Sequence, residues 1–222
     1  MGEMSVSDAV ARRMSVRAFR PEPLSGNTVR ELLEKSARAP SGGNLQPWRV
    51  HALAGEPLTE LLALVKARGP DPAPGYDIYP QDLWEPYRTR RFSNAEQLYA
   101  AISIPRENKA GRLKQLARNA EFFGAPVGLF ILVDRKMGPP QWADLGMYIQ
   151  TLMLLAVERG LDTCPQEFWA LYANTVERFV GAPEDQMLFC GIALGYRDET
   201  APINQMRTNR ASADEWMKMR GF

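Results

Sequence analysis

The stretch RAPSGGNLQPWRV, residues 38–50, joins a predicted helix to a predicted strand. Five consecutive residues in it are turn-formers: Pro40, Ser41, Gly42, Gly43 and Asn44. Glycines also let a backbone approach a ligand closely. Trp48 then opens an alternating run that is typical of a half-buried strand. The stretch is therefore either a plain helix-to-strand connection or a loop that presents backbone amides to a flat polar ligand.

Outward from this stretch, helical and β-type patterns alternate along the chain. Apolar residues recur at helical spacing in residues 25–37, 57–68, 111–124 and 174–186. Residues 141–160 are apolar over most of a helix circumference, which predicts a place in the core or at a subunit interface. The runs VGLFILVD and MLFCGIALGY predict two short buried strands.

Residues 70–110 interrupt this pattern with many prolines, aromatic residues and arginines and with weak periodicity. A segment this long and irregular predicts a lid-like insertion. Because helices separate the strands, the chain as a whole predicts one α+β or α/β domain over residues 1–222.

The composition is that of a globular protein, with 45% hydrophobic residues, 24% charged residues and a net charge of +1. So small a net charge gives no general cationic surface, and no nucleic acid partner is expected. No apolar run approaches the 18 residues of a membrane span, and the start lacks the apolar core of a signal peptide. Cys164 and Cys190 have no CxxC partner, which predicts reduced, buried thiols in a cytoplasmic protein.

His51 is the single histidine of the chain, so the sequence offers neither a two-histidine metal site nor a histidine-based triad within one subunit. No metal is expected. The sequence also lacks GxGxxG and GxxxxGK[ST], which excludes the two commonest phosphate-binding loops for nucleotides.

Two arginine-bearing segments are suited to an anion. In RRMSVRAF, residues 12–19, Arg13, Ser15 and Arg17 alternate and would share one face of an extended segment. In NQMRTNR near the C-terminus, Arg207 and Arg210 lie three residues apart. Guanidinium groups that converge bind phosphate well, whereas each segment by itself is more typical of a solvated basic surface.

These segments, taken together, resemble the FMN-dependent nitroreductase family. The resemblance runs in order through RRMSVRAF, APSGGNLQPW, GLDTCPQE and GIALGYRDETAPINQMRTNR, and the middle of the chain resembles the nitrobenzoate-reductase-like branch. It implies a nitroreductase-like α+β fold, with a mainly antiparallel central sheet flanked by helices. It also implies an intertwined homodimer with two FMN molecules in its interface.

The resemblance assigns cofactor-binding positions segment by segment. Phosphate and ribityl contacts fall to Arg13, Met14 (through its backbone), Ser15 and Arg17, and Arg17 also reaches the N1/O2 edge of the ring. The neighbouring subunit's ring contacts fall to Pro40, Ser41, Gly42 and Asn44. The loop against flavin N5 and O4 is Pro165, Gln166 and Glu167, and the tail arginines on the phosphate are Arg210 and, more weakly, Arg207. Trp48 is expected to pack behind the flavin, and no side-chain amide for the pyrimidine edge is identified.

The implied activity is transfer of hydride from NADH or NADPH, through FMN, to a nitroaromatic or quinone acceptor by ping-pong kinetics. No catalytic side chain is needed, because flavin N5 carries the hydride. Acceptor selection is assigned to aromatic residues for which packing is an equal alternative: Tyr79, Trp84, Tyr87, Phe92, Phe123 and Trp169. Arg88, Arg90 and Arg91 could attract an anionic acceptor or form an ordinary charged surface. The other functions left open are a reductive dehalogenase-like enzyme and a flavin storage module.

Overall fold

The computed structural model describes residues 4–222 and builds them around a four-stranded sheet. The strands are β1 (Arg49–Ala54), β2 (Val127–Asp134), β3 (Asp162–Gln166) and β4 (Gln186–Gly195). Their order across the sheet is β1-β2-β4-β3, and every neighbouring pair is antiparallel. The predicted α+β class with a mainly antiparallel sheet is confirmed.

Eight α-helices surround the sheet in the described part of the chain. They are α1 (Val6–Arg12), α2 (Gly26–Ser36), α3 (Gly55–Arg68), α4 (Tyr87–Ala101), α5 (Lys109–Ala117), α6 (Pro139–Glu158), α7 (Ala173–Phe179) and α8 (Ala213–Trp216). Short 3-10 turns occupy Gly42–Asn44, Arg118–Gly124, Glu167–Tyr172 and Pro202–Gln205. None of the helices within residues 4–222 is both long and apolar enough to cross a bilayer.

The apolar strand β2 reads as a continuous hydrophobic run because both faces of the sheet are covered. Leu129 and Ile131 point into one core cluster, which also holds Leu145 of α6. Phe130 and Leu132 point into the opposite cluster. Alternate residues of a strand face opposite sides, so a strand buried on both sides has no polar face.

Helix α6 lies across one face of the sheet and buries Leu145, Tyr148 and Leu152. Its other side leaves Trp142 36% and Met147 38% exposed. The prediction of a core or interface position is therefore confirmed for the core, and an apolar face remains on the surface.

The helix predicted over residues 111–124 ends early. Helix α5 stops at Ala117, and a 3-10 turn follows in which Phe122 and Phe123 take φ values of 47° and 56°. Both phenylalanines are almost fully buried in the core. Burial of the two aromatic side chains stabilises the fold and offsets the backbone strain of this turn. The spacing of apolar residues in a sequence does not indicate such strain.

The irregular segment 70–110 contains helix α4, which the weak periodicity did not predict. No residue of α4 is buried, so the helix has no apolar face toward the core and no helical pattern in its sequence. The start of the segment is anchored, because the Asp71 and Gly75 amides each donate at 2.8 Å, to the carbonyls of Leu171 and Ala170.

Candidate functional site

The N-terminal segment, residues 13–19, runs extended beside strand β3. The Val16 amide donates to the Thr163 carbonyl at 3.0 Å, and the Arg20 amide donates to the Tyr196 carbonyl at 2.9 Å. Side chains therefore alternate: Met14, Val16 and Ala18 are buried, whereas Arg13, Ser15 and Arg17 are half-exposed. The predicted alternation is confirmed, and the buried Met14 side chain leaves only its backbone for an outward contact.

The C-terminal tail meets this segment at a cleft of about 530 Å³. The cleft is lined by Arg13, Ser15 and Arg17 from the N-terminal segment, Asn94 from α4, and Arg207, Thr208 and Arg210 from the tail, together with Val10, Ala11, Met14 and Met206. Four guanidinium groups thus surround one cavity, and its lining contains no carboxylate among residues 4–222. The two arginine-bearing segments that are far apart in sequence lie together in the fold.

The charges in this cleft repel one another. Burial lowers the pKa of Arg13, and the nearby Arg210 and Arg207 charges lower it further. In the described chain, none of the four arginines forms an ion pair. An anion in the cleft would relieve this repulsion through charge-assisted hydrogen bonds.

Backbone carbonyls orient the guanidinium groups. Arg17 donates to the Ser15 carbonyl at 3.2 Å, Arg207 to the Arg13 carbonyl at 3.4 Å, and Arg210 to the Asn209 carbonyl at 2.8 Å. Each of these bonds uses only one nitrogen of a group with five donor hydrogens, so the remaining donors are available to a ligand.

Pro165, Gln166 and Glu167 lie where β3 ends and the 3-10 turn Glu167–Tyr172 begins. The Gln166 side chain is buried and donates to the Asn119 carbonyl at 2.9 Å, so it points into the protein. Only the backbone of Gln166 could therefore meet a ligand. The first amides of a helical turn have no hydrogen-bond partner within the turn. The Glu167 amide therefore has no such partner in the 3-10 turn that it begins.

The loop with Pro40, Ser41, Gly42 and Asn44 does not line the cleft of its own chain. Both carboxylate oxygens of the buried Asp144 on α6 accept the Gly42 amide, at 3.2 and 3.3 Å. The loop is largely exposed and therefore faces away from the core. The structure therefore does not bring this loop together with the other predicted site residues within one chain.

Three aromatic residues are held by packing. Trp48 stacks on Tyr148 with ring centroids 4.9 Å apart. Trp169 and Phe123 are essentially inaccessible within the core cluster, so the suggestion that they select the acceptor is wrong. Both rings fill the space between β4 and the 3-10 turns, where a ligand has no access.

A second cavity of about 960 Å³ adjoins the first. It lies between α4 and the tail and shares Asn94, Thr208 and Arg210 with the arginine-lined cleft. Its walls include Tyr79 and Trp216, so it is more apolar than the first cavity. An aromatic molecule placed here would lie next to whatever occupies the arginine-lined cleft.

The three arginines of α4 have different partners. Arg88 pairs with Glu85 and Arg90 pairs with Glu215, each at 2.9 Å. Arg91 lies 4.2 Å above the ring of Tyr79 in the wall of the second cavity, and within residues 4–222 it forms no ion pair. Of the three, Arg91 keeps its charge available for an anion.

Asn94 is a residue of the cleft that the sequence did not reveal. It reaches the cavity only because the fold brings α4 to the cleft that the N-terminal segment and the tail line. No local motif marks the residue, and the insertion that carries it has no periodicity from which its orientation could be read.

Known proteins resemble this chain over most of its length. The sequence model of the nitroreductase family matches residues 10–196. The 4-nitrobenzoate reductase of Pseudomonas putida is 39% identical over 214 residues, which are 96% of this chain and 94% of the relative.

Two solved structures extend the comparison to three dimensions. The FMN and NADPH-dependent nitroreductase NfnB from Sphigopyxis sp. strain HMH is 47% identical, with a TM-score of 0.95 over 99% of this chain and all of the other. The FMN-dependent NfnB from Mycobacterium smegmatis, solved in complex with NADPH, is 30% identical with a TM-score of 0.88 over 97% of this chain and all of the other. The predicted family is confirmed: this chain belongs to the nitroreductase family.

Proposed function

We propose that the protein is an FMN-dependent nitroreductase that transfers hydride from NADPH or NADH to nitroaromatic acceptors. The observation that carries the proposal is the cleft with four guanidinium groups and no carboxylate in its described lining. A phosphate monoester is the kind of anion that such a cluster binds. The dependence of both NfnB relatives on FMN supports the choice of this phosphate ester.

Different residues of the cleft fit different parts of FMN. Arg13, Arg207 and Arg210 would hold the phosphate, and the hydroxyl of Ser15 would meet the ribityl chain. Arg17 and Asn94 lie on the same cavity and would contact the pyrimidine edge of the ring, one as a cation and the other as a neutral amide. Burial lowers the pKa of Arg13, and the Arg210 and Arg207 charges lower it further; this repulsion between the charges favours a bound anion.

Bound FMN supplies the hydride chemistry, and the protein supplies position and charge. The Arg17 guanidinium would stabilise negative charge near N1 and so favour the reduced state. The backbone at Pro165, Gln166 and Glu167 would hold the N5 side of the ring in place. No side-chain nucleophile takes part in this proposal.

The electron donor and the acceptor would use the same exposed ring face in turn. One shared face gives ping-pong kinetics, and it would also admit planar quinones. NADPH is favoured as donor by the relatives that use it. We propose a cytoplasmic location, because both cysteines are free thiols and the donor is a cytoplasmic nucleotide.

The acceptor would lie in the second cavity, between α4 and the tail. Arg91, whose charge has no carboxylate partner in the described residues, would attract an acceptor that bears a carboxylate. The name of the Pseudomonas putida relative, a 4-nitrobenzoate reductase, supports an aromatic carboxylate as a substrate. Tyr79 and Trp216 would supply apolar and stacking contacts.

The active form would be an intertwined homodimer. Residues 40–44 are exposed and do not reach the cleft of their own chain, so the flavin ring would take them from the partner. The α6 surface around Met147 and the exposed Trp216, Met219 and Phe222 of the tail would be covered by the second subunit. A single domain over residues 1–222, with an insertion at about 70–110, forms each subunit of this proposal.

The test is reconstitution of the purified protein with FMN, followed by NADPH oxidation in the presence of 4-nitrobenzoate. We expect a yellow dimer that oxidises NADPH only when an acceptor is present. A folded dimer that takes up no FMN would contradict the proposal. A dimer that binds FMN without turnover would instead be a storage module, and turnover confined to halophenols would indicate the dehalogenase alternative.

A further inference from the structure

We infer that Asn204 is a positioning residue of the FMN site, one that sets Arg17 and the arginine-bearing tail relative to each other. The inference rests on the FMN binding proposed above. Asn204 lies in the 3-10 turn Pro202–Gln205, between strand β4 and the tail, and its side chain is 5% exposed. It does not line the cleft, so it would act through other residues.

The Asn204 amide is fully used by the backbone around it. Its Oδ1 accepts the Arg17 amide at 2.9 Å. Its Nδ2 donates to the carbonyl of Ala18 and to the carbonyl of Asp198, both at 2.8 Å. A side-chain amide has one oxygen acceptor and two N–H donors, so each of its polar groups has a partner here.

These three bonds join segments that are distant in sequence. The Arg17 and Ala18 partners belong to the N-terminal segment, and Asp198 belongs to the turn after β4. The amide of Asp198 also donates to the Ala18 carbonyl at 3.0 Å, so the junction is reinforced by the backbone. Asn204 therefore bonds to the N-terminal segment and to the turn after β4 together, and Arg197 of that turn adds a second link by donating to Met14 Sδ at 3.4 Å.

The junction lies directly before the cationic tail. Arg207 and Arg210 follow Asn204 by three and six residues, and Arg207 reaches back to the Arg13 carbonyl at 3.4 Å. A shift of the turn at Asn204 would therefore move Arg17 and both tail arginines relative to one another. Charge-assisted bonds to a ligand depend on such geometry, and a displacement of about 1 Å weakens them strongly.

Asparagine is required here because the site needs an acceptor and two donors in one planar group. Aspartate has nearly the same shape and still accepts the Arg17 amide. Its second oxygen, however, would face the carbonyl oxygens of Ala18 and Asp198, where no hydrogen is available to bond. Such an unmatched contact displaces the segment without leaving a cavity.

The experiment compares FMN affinity and the reduction potential of bound FMN in wild type, Asn204→Asp and Asn204→Ser. Gln205→Ala is the matched control, because the side chain of the neighbouring, exposed Gln205 donates to the Glu199 carbonyl instead of to the N-terminal segment. We expect both Asn204 variants to bind FMN about tenfold more weakly and with a lower potential, and the control to match wild type. If the aspartate variant does not fold, the serine variant provides the test.

A double variant separates positioning from a general loss of stability. If Asn204 acts through Arg17, adding Asn204→Asp to Arg17→Ala will weaken FMN binding less than the sum of the single effects. Unchanged affinity and potential in both Asn204 variants, or fully additive losses, would overturn the role of Asn204. Wild type that binds no FMN would instead remove the proposed function, and this inference with it.

Discussion

Arg17 carries a charge that no carboxylate pairs with in the described chain, and the fold holds it beside Ser15 at the edge of the cleft. Replacing Arg17 with alanine removes the cation that would stabilise reduced FMN. We expect FMN binding to weaken about tenfold and the two-electron potential to fall by about 30 mV, which corresponds to roughly 1.4 kcal/mol. Arg30→Ala, on the exposed face of α2, is the control. Unchanged affinity and potential would remove Arg17 from the site.

Arg91 gives a separate prediction about the acceptor. In Arg91→Ala, the KM for 4-nitrobenzoate should rise about fivefold to tenfold, because a partly exposed charge pair contributes on the order of 1 kcal/mol. The KM for uncharged nitrobenzene should stay near the wild-type value. Arg88→Ala removes a charge that already has Glu85 as partner and should leave both KM values unchanged. Equal losses with both acceptors would contradict recognition of a carboxylate.

The two thiols should be inert in the folded protein. Burial raises the pKa of Cys164 to about 11 and also raises that of Cys190. A thiol with such a raised pKa is almost entirely protonated at about pH 8, and the thiolate is the reactive form. A colorimetric thiol reagent should therefore detect no free thiol in the native protein and both thiols after denaturation. Rapid labelling of native protein would show that the strands around these residues open readily.

At this scale, the sequence predicted the side-chain positions that follow from local spacing. Arg13, Ser15 and Arg17 alternate, and any extended segment must place them on one side. Asn94 and Asn204 could not be found in the same way. Each is an ordinary amide in sequence and gains its position only when the fold brings α4 to the cleft or the C-terminal tail to the N-terminal segment.

At the scale of elements, Gly191 allows strand β4 to pack closely against the ring of Trp169. A Cβ added there would lie 2.2 Å from Cδ1 of Trp169, which is itself immobilised in the core. Gly191→Ala should therefore destabilise the fold by about 1–3 kcal/mol and lower the Tm by several degrees. Gly26→Ala, which meets no atom within 4 Å, is the control and should leave the Tm nearly unchanged. Equal melting of both variants would show that the Trp169 ring can move.

Sequence interpretation succeeded for elements with a clear hydrophobic pattern, and it missed the buried strand β3, whose residues DTCPQ have none. Strand β2 and helix α6 contribute to the core clusters, and their hydrophobic patterns were predicted correctly. Helix α4 buries nothing, so hydrophobic periodicity carried no information about it. The prediction of a helix through Phe122 and Phe123 was wrong for a different reason. The burial of both rings outweighs the local backbone preference there.

For the molecule as a whole, the C-terminal tail exposes large apolar side chains that a single chain does not cover. Trp216, Met219 and Phe222 are well exposed, and Met217 takes an extended conformation. Deleting residues 213–222 should convert the proposed dimer to monomer and reduce FMN binding, although Arg207 and Arg210 remain. Sedimentation velocity and FMN titration of the truncated and full-length chains, at equal concentration, test this. A truncated chain that stays dimeric would place the interface elsewhere.

The α+β or α/β class followed from the alternation of helices and strands, whereas the mainly antiparallel sheet followed only from the resemblance to a family. The cleft did not follow, since it is assembled from residues at both ends of the chain and one helix from the middle. Only the resemblance to a family assigned the two chain ends to one site in advance, and the contribution of α4 was not predicted. The loop at residues 40–44 is an example, because within one chain its Gly42 amide bonds to Asp144 and none of its residues lines the cleft.

The crowded arginines also have a consequence for the protein in the cell. A newly made chain that has not met its cofactor must hold four like charges around one cavity, and this lowers the cost of opening the two chain ends. Occupancy by a phosphate ester reverses the effect by mass action. The abundance of this enzyme should therefore follow riboflavin supply, since vitamin-starved cells would degrade the vacant polypeptide faster than the filled one.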